Sequence, residues 1–136
     1  MWLLKTEPST YSYDDLEKEG RAVWDGVKNP FALRNMREMK AGDRVVIYHT
    51  GNEKAVVGLA EVVREAYPDP TDKEKKNWVA VDFKAVMPIE KSVTLADIKA
   101  EPRLKDLKLI RQSRLSVMPV SDGEWKLLCK MAGVAA

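Results

Sequence analysis

The chain has little of what most enzymes and metalloproteins depend on. It has one cysteine, Cys129, and one histidine, His49. A single cysteine excludes an internal disulfide, and with a single histidine it leaves a structural zinc site without a ligand set. No apolar run approaches the ~20 residues of a membrane span. The opening residues, Met-Trp-Leu-Leu-Lys-Thr-Glu, lack the basic-then-apolar order of a secretion signal. There is no glycine-rich phosphate loop, and no serine or cysteine stands near His49 in sequence as a nucleophile. The net charge of +2 is too small to argue for nucleic acid by itself. Repeats, linkers and low-complexity segments are missing. These absences set the expectation of one metal-free, cofactor-free domain over residues 1–136, cytoplasmic and monomeric.

What is present is an ordinary core-forming composition and one unusual stretch. Apolar residues make up 45% of the 136 residues and charged ones 32%, enough for a real core. The unusual stretch runs through Trp2, Lys5-Thr6-Glu7-Pro8, Tyr11-Ser12-Tyr13 and Trp24-Asp25-Gly26-Val27-Lys28-Asn29, and returns at Tyr48-His49-Thr50-Gly51. Aromatic rings alternate there with fixed donors and acceptors. That mix suits a pocket for a flat, polar, aromatic ligand, which needs rings to stack on and polar groups to read an edge.

Periodicity and punctuation give the elements. Residues 2–7 predict a strand ended by Pro8. Ser12 caps a helix that Gly20 stops. Residues 21–28 predict a short strand or loop. Asn29-Pro30 opens a second helix, as cap and first helical residue. Residues 43–50 and 55–64 predict a hairpin, the second strand apolar on both faces and therefore central, with Gly58 marking a bulge or a close approach. A charged, exposed loop is expected over 67–77 and a strand over 78–87. A short helix should follow Thr94, a further helical turn lie within 102–107, and a strand run over 110–117. The capping box Ser121–Glu124 begins a last helix with Trp125, Leu128, Cys129 and Ala132 on one face. Strands scattered among short helices, with bending glycines, predict an α+β fold: a small, curved, mostly antiparallel barrel with helices packed outside.

Taken singly, the candidate site residues have plain readings. Core is the favoured place for Trp24, as for Trp2, Trp78 and Trp125. Lys5 and Glu7 read as a surface ion pair, although the end of a first strand is where a barrel mouth would lie. His49 reads as a satisfied histidine at the core edge, and Cys129 as a small hydrophobe. The basic run from Lys99 to Lys108 reads as a solvated face. Arg111 and Arg114 stand apart, flanking Gln112 and Ser113 in a segment that turns apolar.

Together these residues resemble the EVE domain family. The likeness rests on Trp2-x-x-Lys5-Thr6-Glu7-Pro8, Tyr11-Ser12, Trp24-Asp25-Gly26-Val27-x-Asn29, Arg34, Met39-x-x-Gly42-Asp43, Tyr48-His49-Thr50-Gly51, Val57-Gly58 and the run Arg111 to Val120. It covers essentially the whole chain. The resemblance implies a PUA-like barrel, structurally similar to YTH domains, that binds nucleic acid carrying a modified base, with modified cytosine in DNA the implied target. It implies that Trp24 stacks on the base, with Asp25, Gly26, Val27 and Asn29 shaping the pocket. Lys5, Thr6 and Glu7 would line the entrance, and Tyr48, His49 and Thr50 the opposite wall. Lys28, Arg34, Arg111, Gln112, Ser113 and Arg114 would meet the backbone. Three departures stand out: Lys28 where the family often has Arg, Thr50 where it has Ser, and Leu33 between Ala32 and Arg34. Lys28 keeps the charge but loses a planar fork. Two other classes stay open: an enzyme or accessory factor on modified nucleotides or RNA, with Glu7, Asp25 or His49 as acid or base, and a small-metabolite or partner-protein module.

Overall fold

A computed structural model describes residues 1–134. Six strands, β1 (Trp2–Thr6), β2 (Arg21–Trp24), β3 (Arg44–His49), β4 (Ala55–Pro68), β5 (Val79–Thr94) and β6 (Val117–Pro119), form one sheet. The helices are α1 (Tyr13–Glu19), α2 (Pro30–Glu38), α3 (Leu95–Ala100), α4 (Lys108–Arg111) and α5 (Asp122–Ala132), with a 3-10 turn over Pro102–Leu104. The strand order is β2-β5-β4-β3-β1-β6. Every pair is antiparallel except β1 with β3, which makes the sheet mixed.

The local signals act as their chemistry dictates. Ser12, Thr94 and Ser121 each make a capping box, with Asp15, Asp97 and Glu124 respectively. Asn29 accepts from the Phe31 and Ala32 N–H groups, with Pro30 at the first helical position. β4 lies between β3 and β5, as its apolar faces require. The core gathers Leu3, Leu4, Met36, Val46, Phe83 and Met118, all buried. Trp2 is buried too, its indole N–H donating to Asp43 at 2.9 Å. Cys129 is buried, and burial pushes its thiol pKa up.

Three expectations change. The hydrogen-bonded sheet is α+β but not a closed barrel: among the described residues no ladder joins its end strands, β2 and β6. It curls instead. Register shifts along the β4–β5 pair, between Val56 and Gly58 and again as far as Tyr67, are the irregularities that bend and twist a strand. The curl carries Trp24 of β2 round to Tyr11, which follows β1, with ring centroids 6.0 Å apart. Second, the strand expected over 110–117 is mostly something else. Leu104 and Leu107 bury themselves at helical spacing, α4 takes Lys108–Arg111, and only Val117–Pro119 pairs with β1. Third, the loop expected over 67–77 is shorter and less exposed. β4 runs on to Pro68, and Asp69 is only 4% exposed. Trp78, expected in the core, is half-buried just before β5.

Candidate nucleobase-binding cleft

Where the curled sheet stays open there is a cleft of about 500 Å³. β1 contributes Lys5 and Thr6, with Glu7 just beyond. β2 contributes Ala22, Val23 and Trp24, with Asp25 just beyond; Thr10, Tyr11 and Glu19 complete the lining. Beneath it lies an apolar recess of about 10 Å³, which shares Thr6, Tyr11, Ala22 and Trp24 with the cleft and reaches Leu4, Ile47 and Phe83. A space of that size holds about one water-sized group.

Trp24 is the aromatic centre. It is half-buried, braced edge-on by Tyr11 and by Phe83 at 6.4 Å. Edge contacts leave an indole face for a flat ligand. Tyr11 is fixed at both ends: its carbonyl accepts from the Thr6 hydroxyl at 2.6 Å, and its own hydroxyl donates to Glu19 at 3.0 Å. Burial, then the Glu19 carboxylate, pushes the Tyr11 hydroxyl up to about 12, so it stays a neutral donor.

Glu7 is a preset acceptor at the rim. Ser9 donates to it through its backbone N–H at 3.1 Å and its hydroxyl at 2.9 Å, and Thr50 through its hydroxyl at 3.3 Å. These bonds, those of Ser9 above all, hold its carboxyl below the ordinary glutamate value. Gly51 matters here, since a Cβ in its place would lie 2.8 Å from Glu7 Oε2. Lys5 does a different job from the ion pair expected of it. Its ammonium donates to the Ser113 carbonyl at 2.5 Å, tying the 112–116 segment to β1, and partial burial lowers its pKa.

The turn after Trp24 hangs on a residue the sequence did not single out. Gly26 takes a φ of 69°, open to glycine, and its N–H donates to Asp69 Oδ2 at 2.8 Å. The other Asp69 oxygen accepts from the Thr71 N–H and hydroxyl, both at 2.7 Å. Burial raises the Asp69 pKa, but the Thr71 and Gly26 hydrogen bonds outweigh it and the carboxyl ends below its ordinary value. An amide cannot accept at both positions. Asp69→Asn is therefore expected to cost about 1–3 kcal/mol of stability in urea unfolding at neutral pH. The sign follows from the lowered pKa. The carboxylate's contribution is complete above the unfolded aspartate value of ~3.9 and vanishes as pH falls through the folded one. The gap between wild type and variant should thus narrow below about pH 4; a gap constant down to pH 2 would contradict this assignment.

Other residues expected at the site sit elsewhere. His49 is 7% exposed and fully engaged: Nε2 accepts from the Tyr13 N–H at 3.0 Å and Nδ1 faces Glu53 at 2.7 Å. Tyr48 is buried in the core. Neither lines the cleft, and Thr50 reaches it only through Glu7. Val27 packs on the core, Asn29 caps α2, and Arg34 lies 4.0 Å from Glu38 on the outer face of α2. Arg111 donates to the Lys105 carbonyl at 2.8 Å, while Gln112 and Arg114 are exposed. Tyr11 was visible as part of a motif; Asp69 gave no signal, because an aspartate between two prolines reads as a turn.

A curled α+β sheet with a ring-lined, acceptor-rimmed cleft in its seam has the build of a binding module for a flat polar ligand. Comparison with known proteins gives the family. The EVE domain profile matches residues 1–131, and the chain belongs to the EVE domain family. It is 29% identical to human thymocyte nuclear protein 1 over 96% of this chain and 72% of that protein. The NMR structure of Rpa0253 from Rhodopseudomonas palustris is similar at 51% identity and TM-score 0.92, covering 97% of this chain and 92% of that one. The crystal structure of human THYN1 in complex with 5-methylcytosine-containing DNA is similar at 28% identity and TM-score 0.90, covering 99% and 98%. Among the described residues no group of three or more His, Cys, Asp or Glu is placed to hold a metal ion, and no helix is long and apolar enough to cross a membrane.

Proposed function

We propose that this protein is a non-enzymatic reader of nucleic acid that takes a modified base, 5-methylcytosine in DNA first among candidates, into the Trp24 cleft. The observation that carries the reading is the braced Trp24 ring facing a cleft rimmed by the ionised Glu7. The THYN1 complex with 5-methylcytosine DNA supports the choice of target. The cleft's position, between β1 on one side and β2 on the other, supports reading the curled sheet as a PUA-like barrel with its seam left open for the ligand.

A base leaves its stack at a cost of a few kcal/mol from duplex and less from a single strand. Stacking on Trp24 returns about 1–3 kcal/mol. The exocyclic amine of cytosine is a donor, and a carboxylate is its natural acceptor. Glu7 and Asp25 stand at the rim for that role. A 5-methyl group is apolar and small, and the recess under Trp24, Tyr11 and Ala22 is the apolar space beside the stacked ring. Burying one methyl is worth about 0.8 kcal/mol, near fourfold in affinity.

The test is titration of tryptophan fluorescence with single- and double-stranded 12-mers bearing 5-methylcytosine, 5-hydroxymethylcytosine, N6-methyladenine or no modification. Tightest binding of 5-methylcytosine DNA is expected. Equal affinity for all bases would remove the reader function, and RNA bound more tightly than DNA would change its substrate. Turnover of a modified nucleotide, lost in Glu7→Gln, would instead favour an enzyme. Ala22→Val, which puts bulk between cleft and recess, is expected to reduce the methyl preference from about fourfold toward unity while leaving unmodified cytosine binding nearly unchanged.

A further inference from the structure

Beyond the cleft, the loop joining β4 to β5 engages two of its acids, Asp69 and Asp72, in hydrogen bonds to backbone N–H groups and keeps its lysines and Glu74 exposed. Asp69 is spent on Gly26 and Thr71. Asp72 accepts from the Lys76 N–H at 2.8 Å and the Trp78 N–H at 2.9 Å. Lys75 and Asn77 hold left-handed φ values of 53° and 64°, which fix the loop tightly. The half-buried Trp78 ring carries two ammonium groups, Lys28 at 5.4 Å and Lys76 at 5.8 Å from its centroid. Arg37 of α2 donates to the Asn77 carbonyl at 2.5 Å, which spends one of its five N–H donors. Arg37, Lys75 and Trp78 line a groove of about 450 Å³, with the hydrogen-bonded carboxylates of Asp69 and Asp72 also in its wall. The exposed counter-charge is Glu74, 3.0 Å from Lys76, and an exposed pair of that kind is worth little.

This basic face lies beside the cleft. Trp24 is in register with Val81, and Trp78 stands three residues earlier in the same chain segment, about 10 Å along it. The Gly26–Asp69 hydrogen bond joins the two sites. Two ammonium groups share one ring with a single exposed carboxylate, Glu74, beside them, which leaves a net positive face suited to a polyanion. We propose that the Trp78 platform, with Lys28, Lys76, Lys75 and Arg37, is the phosphodiester track of the bound strand, gripping phosphates next to the nucleotide held in the cleft. This rests on the reader function above and adds the path of the strand.

The experiment compares Lys28→Gln/Lys76→Gln with Trp24→Ala on single-stranded DNA 12-mers with and without 5-methylcytosine, across a series of salt concentrations. Removing two phosphate contacts should flatten the slope of log affinity against log salt by about 1.4. It should weaken both oligonucleotides alike, about tenfold at low salt, with their affinity ratio kept. Trp24→Ala should do the reverse, losing the ratio and keeping the slope. A slope unchanged in the lysine variant, with its thermal unfolding intact, overturns the track. So does a slope lost instead in Arg111→Gln/Arg114→Gln, which would move the strand to the other side of the cleft. Failure of the reader function alone would appear as a ratio near one in wild type with the lysine-dependent slope still present.

Discussion

Trp24→Ala is expected to weaken binding of a 5-methylcytosine 12-mer by roughly five- to 150-fold, the equivalent of the ~1–3 kcal/mol that one stacked base contributes. The effect should be large because stacking nearly balances the cost of unstacking. Without it, hydrogen bonds at Glu7 and Asp25 must hold a base that prefers to stay in its strand. Trp24→Phe keeps a flat ring and should recover much of the loss. The ring is half-buried against Tyr11 and Phe83, so some stability goes with it, and circular dichroism should be recorded on the same samples. A folded Trp24→Ala variant with wild-type affinity would sink the cleft assignment.

Gly58→Ala is expected to be the most damaging conservative change in the sheet. A methyl group there would overlap the ring of Tyr13, whose hydroxyl donates to the Leu59 carbonyl at 2.6 Å in the same strand. Tyr13 cannot step aside, since it is 3% exposed and its own N–H is bonded to His49. Overpacking of this kind costs about 1–3 kcal/mol, which in a domain of this size lowers Tm by roughly 4–12 °C. A second change that shortens the side chain, Tyr13→Leu, should restore part of the loss by vacating the space. A single Gly58→Ala variant that melts with wild type would show that the ring moves freely.

The two predictions mark what was legible in the sequence and what was not. Gly58 stood out as a glycine inside a strand, and a close approach is what it marks; which residue approaches is a matter of tertiary packing. The caps and turns were readable because a cap forms within four residues. The run from Ile110 to Val117 is ambiguous, because its apolar residues fit a short strand as well as a helical turn. What decided was the room beside β1, where only three residues pair. Closure is not legible for a related reason: curvature follows from local bulges, whereas closure depends on two strands far apart in sequence, β2 and β6. At the cleft, Lys5, Thr6, Glu7, Trp24 and Asp25 line the wall, whereas Tyr48 and His49 face inward. The mechanical support was hidden, because Asp69 meets Gly26 across 43 positions. Trp78 reads as core from the apolar periodicity of its strand, and the two lysines brought to its ring come from tertiary placement.

The pairing of β1 with β6 has a kinetic meaning. Trp2 opposes Pro119, and Met1 accepts a hydrogen bond from Val120, so the two outermost sheet positions on that side come from opposite ends of the described chain. Contacts of such sequence separation form late, because a long loop must close first. During synthesis, then, Lys5 has no Ser113 carbonyl to hold until nearly the whole domain has emerged. The rim of the cleft should be among the last parts to set, and a nascent chain should acquire its binding competence in one step once β6 has emerged rather than gradually.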